Sequence, residues 1–195
     1  DKMARVRAKE AIRVAFGKIL KEKPYRQITV KDIADEAKVT RQIFYYYFKN
    51  MIELLEFYAD EEAKVLLVEK KKEKTLEEAY VLFFKIMKEK KDLINNLNNP
   101  EASGILRKTL EQMSKSLFTR ILSKKFDGTR ISDKDREFLI NYYKLSFAAI
   151  LYEWVEKGMK EDETYLIKNL TLIINMGLDA LVDRFEEKSI KERKK

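Results

Sequence analysis

Apolar residues recur along this chain at three- and four-residue spacing from one end to the other, which is the signature of amphipathic helices. The first pattern spans about residues 3–22. It sets Val6, Ala8, Ala11, Ile12, Ala15, Phe16, Ile19 and Leu20 in one stripe, with Arg5, Arg7, Lys9 and Arg13 on the other faces. Pro24 stops it, since the ring clashes with a continuing helix and pushes Lys23 toward extended backbone. Two short patterns follow, about 30–37 and 41–48, opened by Thr29 with Asp32 and by Thr40. Each has a hydroxyl placed to accept a backbone N–H of the first turn. The first keeps Ile33, Ala34 and Ala37 on one side; the second keeps Ile43, Phe44 and Phe48 together.

Asn50 with Glu53 opens a longer helix from Met51, carrying Leu54, Leu55, Phe57, Tyr58, Ala63, Leu66 and Leu67 before it fades into the charge run 69–74. Thr75 with Glu78 is the clearest capping box in the chain and starts a helix bearing Phe83 and Phe84. A short helix at 92–97 comes next. Asn99-Pro100 then starts a helix that runs to about Lys125, where Phe126-Asp127-Gly128 breaks it. Ser132 and Asp135 cap a helix over about 133–157 that ends at Gly158. The last helix begins at Asp162 and reaches about Glu187, leaving 188–195 as a basic, fraying tail. The expectation is an all-α chain of about nine helices with no strand and no internal repeat. Its domains are a head over 1–50 and a bundle over 51–195.

Composition narrows the chemistry. The 195 residues include no Cys and no His, so a thiol nucleophile, a disulfide and a His-based triad are all excluded. A zinc site would have to rest on carboxylates alone. The five glycines are isolated and build no phosphate loop. Paired carboxylates such as Glu77-Glu78 and Glu186-Glu187 sit among lysines and read as solvated helix faces. No catalytic residue, metal or cofactor is expected, and an enzyme is the least favoured function. Unbroken apolar runs such as 147–152 are far shorter than the roughly 20 residues of a membrane span, so no membrane association is expected and the chain reads as cytoplasmic.

Charge placement adds more than charge size. The net charge is +8, and residues 1–50 hold thirteen Lys/Arg against six Asp/Glu. Nearly the whole excess lies in the first quarter, which is the electrostatic footprint of a nucleic-acid-binding module attached to something neutral. Two short capped helices meeting at a tight break, with the small Ala34 where they cross, meet the steric need of a helix-turn-helix.

Over residues 28–55 the pattern Ile28-Thr29-Val30, Asp32-Ile33-Ala34, Ala37, Val39-Thr40, Phe44-Tyr45, Phe48 and Leu54-Leu55 resembles, without gaps, the TetR family of bacterial transcriptional regulators. Residues 147–159, from Phe147 through Trp154 to Gly158-Met159, are similar to the C-terminal region of its dihydroxyacetone-kinase-regulator-like branch. The resemblance implies a ligand-responsive repressor that binds a palindromic double-stranded DNA operator as a homodimer, with an unknown small-molecule effector in the bundle. The alternative is a nucleoid-associated or division factor acting at many dispersed sites. A non-specific architectural DNA binder is a further rival. Three positions depart from the family: Lys38 stands where Gly is usual, Met51 where Lys is usual, and Tyr47 where His is frequent.

The expected DNA contacts divide by chemistry. Arg41 and Gln42, at the start of the second short helix, suit guanine and adenine edges. Lys31 matches a family position that reaches the groove. Thr29, Thr40, Tyr45, Tyr47 and Lys49 are placed for phosphates, and Tyr46 for a base or sugar. In the bundle, Tyr80, Phe83, Phe84, Phe118, Tyr142, Phe147 and Trp154 are the candidate ligand-lining residues, against the plainer reading of an aromatic core. The last two helices, with Ala148, Ala149, Leu172, Ile173, Leu178 and Leu181, are expected to pair across a two-fold axis as four helices.

Overall fold

In the computed structural model, which describes residues 2–68 and 75–193, the chain is helical throughout: α1 (Lys2–Glu22), α2 (Val30–Ala37), α3 (Arg41–Tyr47), α4 (Met51–Val68), α5 (Leu76–Glu89), α6 (Lys91–Leu97), α7 (Ser103–Phe126), α8 (Asp133–Glu156) and α9 (Glu163–Glu192). A 3-10 turn at Tyr25–Gln27 links α1 to α2. No strand occurs among the described residues. The charge run 69–74 and the side chains of Arg5, Leu66 and Leu67 lie outside them.

The chain forms two compact units. One comprises Asp1–Leu66 and Lys90–Leu106, the other Leu67–Glu89 and Arg107–Lys195. Compactness therefore groups most of α4, and all of α6, with the head, rather than dividing the chain at residue 50. Asn96 on α6 shows why. Its carboxamide oxygen accepts the Tyr25 N–H at 3.1 Å, satisfying a backbone donor at the corner where α1 ends.

The core of the first unit is built from Ile12, Phe16, Ile33, Phe44, Phe48, Leu54 and Leu55, all nearly or fully buried. Gly17 permits one close approach. A Cβ there would stand 2.8 Å from the Tyr58 ring, which packs edge-on against Phe16 at 5.3 Å. Burial pushes the Tyr58 phenol up to about 12. The α1 stripe is narrower than its sequence spacing implies, since Val6 is more than half exposed.

The second unit is centred on Phe147 of α8. Tyr80, Phe83 and Phe118 surround it with ring centroids at 4.9, 5.2 and 5.8 Å, and Phe84 meets Trp154 at 5.0 Å. The indole N–H of Trp154 donates to the Glu161 carbonyl at 3.0 Å, so the largest buried ring leaves no polar atom unsatisfied. The end of α8 is a Schellman motif: Gly158 takes φ +72°, Met159 N–H donates to the Trp154 carbonyl, and Gly158 N–H donates to that of Val155.

Two expectations are corrected here. The segment after Glu187 does not fray within the described residues, because α9 continues to Glu192. Ser189 is buried and its hydroxyl donates to Asp135, while the Lys188 ammonium lies 2.6 Å from the same carboxylate. A six-residue apolar run also understates α9, which contains an 18-residue window of mean hydropathy 1.3 and is long and apolar enough, by length and composition only, to cross a membrane. Two apolar faces produce that value. Ile167, Ile174, Leu178 and Val182 are buried, while Leu172, Ile173 and Met176 are exposed.

Candidate nucleic-acid interface

Both short helices, α2 and α3, are capped by a threonine hydroxyl. The Thr29 hydroxyl accepts the Asp32 N–H at 3.2 Å, and the Asp32 carboxylate accepts the Thr29 N–H at 2.8 Å. Lys23 adds an ion pair to Asp32 at 2.8 Å. The Lys23 ammonium foremost, then the Thr29 donors, hold the Asp32 carboxyl far below the usual carboxylate range. Thr40 caps α3 by accepting the Ile43 N–H at 3.2 Å.

The two hydroxyls differ in what they have left. That of Thr29 also donates to Asp32 at 2.7 Å, so its single proton is committed. The Thr40 hydroxyl serves the cap as an acceptor only.

Between α2 and α3 the backbone turns through Lys38, at φ 54° and ψ 43°, in the left-handed region. Val39 N–H donates to the Ala34 carbonyl at 2.9 Å and Lys38 N–H to that of Asp35 at 3.2 Å. The turn is therefore kept without the glycine that fits it best. A β-carbon in this conformation costs about 1–2 kcal/mol, partly offset because Gly adds unfolded-state entropy. Lys38→Gly is expected to raise the unfolding free energy by about 0.5–1 kcal/mol in urea titration. A destabilised variant would show that the Lys38 side chain contributes more than the strain it carries.

Phe44 and Phe48 face inward, fully buried, with ring centroids 5.8 Å apart. Arg41, Gln42, Tyr45 and Tyr46 are exposed on the other faces of α3, with Lys31 exposed on α2 and Lys49 just beyond α3. Tyr47 is half-buried, edge-on to Tyr46 at 4.9 Å. Three successive tyrosines cannot share a face when each residue turns about 100°, and two of the three do point outward.

Ile43 corrects the sequence reading. It is 37% exposed and stands outside the Phe44–Phe48 contact. With only seven residues in α3, Phe44 and the following Phe48 suffice to anchor it, and Ile43 lies about 100° away. An inward stripe of residues four apart, with no partner four residues from Ile43 on the apolar side, is the signal that would have exposed it.

After α3 the chain enters α4 through Asn50, whose carboxamide oxygen accepts the Glu53 N–H at 2.9 Å. The Glu53 carboxylate in turn accepts the Lys49 N–H at 2.6 Å. Two donors near the start of α4 are therefore engaged internally. With Met51 in place of a lysine, the Lys49 ammonium is the cation at this end.

The seven aromatic candidates of the bundle separate. Tyr80, Phe83, Phe84, Phe118, Phe147 and Trp154 are at most 6% exposed and pack on one another, whereas Tyr142 is 55% exposed. A cleft of about 360 Å³ in this unit is lined by none of the seven.

Residues 17–57 match the family model described as bacterial regulatory proteins, tetR family, and residues 74–176 match one described as transcriptional regulator C-terminal region. Among curated proteins, the HTH-type dhaKLM operon transcriptional activator DhaS of Lactococcus lactis subsp. lactis (strain IL1403) is 25% identical over 165 residues, covering 81% of this chain and 85% of its own. Among solved structures, the dihydroxyacetone kinase operon activator DhaS aligns with a TM-score of 0.63 at 22% identity, over 92% of this chain and 98% of its own. The TetR family repressor AlkX from Dietzia sp. strain DQ12-45-1b aligns with a TM-score of 0.61 at 17% identity, over 89% and 96%. Both structures share the fold. With the capped helix-turn-helix in its head and both family models matched, the chain is a member of the TetR family of bacterial transcriptional regulators.

Proposed function

We propose that this chain is a ligand-responsive regulator that binds a palindromic operator as a homodimer. The observation that carries the reading is α3 itself. It is a capped helix anchored by Phe44 and Phe48, and it presents Arg41, Gln42, Ile43, Tyr45 and Tyr46 to solvent. Arg41 supplies a bidentate partner for guanine O6 and N7, Gln42 for adenine N6 and N7, and Ile43 an apolar surface for a thymine methyl. Lys31, Tyr45, Tyr47, Lys49 and the Thr40 hydroxyl grip phosphate and sugar, with Tyr46 beside the bases. Thr29 acts through its cap, since its proton already belongs to Asp32.

Support for the dimer comes from α8 and α9. Phe138, Tyr142 and Leu145 on α8, with Leu172, Ile173 and Met176 on α9, are each at least half exposed. Large exposed apolar groups of this kind mark a protein interface. Ala149 and Leu181 are also exposed, but Ala148 and Leu178 are buried within the protomer and belong to its own core. Reading a palindrome requires the two α3 helices of such a dimer to lie roughly 34–36 Å apart, in successive major grooves. Repression needs no more than occupancy of the operator and is the proposed sign. Activation, the role in the name of the L. lactis relative, needs a further contact with the transcription machinery. A regulator of this kind works where the chromosome is, in the cytoplasm.

The test is selection of duplexes from a randomised pool, followed by affinity measurement on a panel of single-base variants. Arg41→Ala is expected to cost about 1–3 kcal/mol at one operator position and relax selectivity there. Replacing one thymine by deoxyuridine, which removes only the methyl, should weaken the parent protein but leave Ile43→Ala unaffected. An Arg41→Ala profile identical to that of the parent would remove Arg41 from base reading.

A further inference from the structure

We propose that Asn96, on α6, is a positioning residue for DNA binding: its carboxamide fixes the corner from which α2 sets out. The inference rests on reading α2 and α3 as the DNA-gripping pair, and it names a residue outside both that acts on them. Pro24 creates the need. In a continuing helix the Leu20 carbonyl would accept the N–H of residue 24, and proline has none. The chain leaves helical geometry after Glu22, so the Tyr25 N–H has no intrahelical acceptor either. Asn96 meets both groups. Its Nδ2 donates to the Leu20 carbonyl at 3.4 Å, and its Oδ1 accepts the Tyr25 N–H at 3.1 Å. A carboxamide offers donor and acceptor on one plane, which suits the pair that a proline corner leaves open.

Asn96 is itself held. Its Nδ2 also donates to the Asp92 carbonyl at 3.1 Å, and its own carbonyl accepts from the Asn99 carboxamide at 2.6 Å. The other end of α6 is tied as well. Lys90, just before it, pairs with Glu62 of α4 at 3.0 Å, and Glu62 pairs with Arg13 of α1 at 3.2 Å. Arg13 and Leu20 stand about two turns apart on α1, so the two ties fix α6 along that stretch. From Tyr25 the path to α2 is short and stiff. The Tyr25 ring is buried, edge-on to Phe16 at 6.4 Å. The 3-10 turn is closed by the Gln27 N–H donating to the Pro24 carbonyl at 2.9 Å and the Ile28 N–H to that of Tyr25 at 3.0 Å. Thr29, the cap of α2, follows at once. A shift of the Tyr25 backbone therefore moves the start of α2, and Lys31 with it, while the chemistry of Arg41 and Gln42 is untouched.

The experiment measures the affinity of the full chain and its Asn96 variants for the selected duplex and its single-base panel, across a salt series. Stoichiometric titration fixes the active fraction of each sample. Asn96→Ala is expected to bind about tenfold more weakly on every duplex, with a log–log salt slope smaller by about one, the mark of one lost phosphate contact. Asn96→Asp keeps an acceptor for the Tyr25 N–H and loses the donor to Leu20. It should stay within about threefold of the parent, at the parent's slope, although its melting temperature falls. Destabilisation alone alters no salt slope and is not rescued by aspartate. An unchanged affinity and slope in Asn96→Ala overturns the proposal. So does a loss in Asn96→Asp as large as that expected of alanine, which decides the matter even where the alanine variant does not fold. A parent that selects no duplex sinks the DNA reading and this proposal with it. A parent that binds no better than Asn96→Ala sinks this proposal alone.

Discussion

Phe44→Ala is expected to abolish operator binding and to cost about 3–5 kcal/mol of stability in the head unit. Phe44 is fully buried and makes ring contacts with Tyr45 at 5.4 Å and Phe48 at 5.8 Å. It is the inward side chain of a seven-residue helix, and a helix that short is not stable without tertiary packing. Removing the ring leaves a cavity and frees α3 from the surface that orients Arg41 and Gln42. Gln42→Ala is the matched control. Its side chain is exposed, so stability should stay within about 0.5 kcal/mol while DNA affinity falls. Chemical denaturation with mobility shift on the selected duplex reads both effects. Equal stability of Phe44→Ala and the parent would contradict the packing described for the head.

Asp135→Ala is expected to cost about 2–3 kcal/mol near neutral pH and to loosen the end of α9, as read by amide exchange at 186–192. The Asp135 carboxylate is buried and accepts from the Ser132 hydroxyl at 2.9 Å, the Ser189 hydroxyl at 3.2 Å and the Lys188 ammonium at 2.6 Å. Lys188 is half exposed, so water screens part of its attraction and the hydroxyl bonds carry much of the effect. The same partners, Lys188 first, hold the Asp135 carboxyl below its ordinary value. A carboxyl depressed in the folded state contributes stability that is present above the unfolded value, near 4, and lost as pH falls through the folded one. The stability gap between parent and Asp135→Ala should therefore be full at pH 7 and shrink progressively below about pH 4. A gap that stayed constant to pH 2 would mean the charge of Asp135 is not what ties α9 down.

Most of the helical architecture could be read from the chain because local chemistry coincides with tertiary need. Thr29, Thr40, Asn50, Thr75, Ser132 and Asp162 all accept first-turn N–H groups as their sequence context implies. Lys38, Gly128 and Gly158–Met159 mark the turns that use positive φ among the described residues. What could not be read was burial within an apolar run. Periodicity places Ile43 near Phe44 and Val6 near Ala8, but how wide a stripe the neighbours cover depends on the packing of other helices. The tail after Glu187 looked like a fraying basic end because its partner, Asp135, lies more than fifty residues away. The bundle aromatics fitted both a core and a ligand wall by spacing, and only their mutual ring contacts distinguish the two.

The central claim is that two chains read one site, and the mass of the protein–DNA complex tests it most directly. Native mass spectrometry or light scattering on the selected duplex should give two protomers per duplex, with half-site centres about 10–10.5 base pairs apart or a multiple of that. One protomer per duplex, or a pool from which no two-fold symmetric sequence emerges, would contradict it.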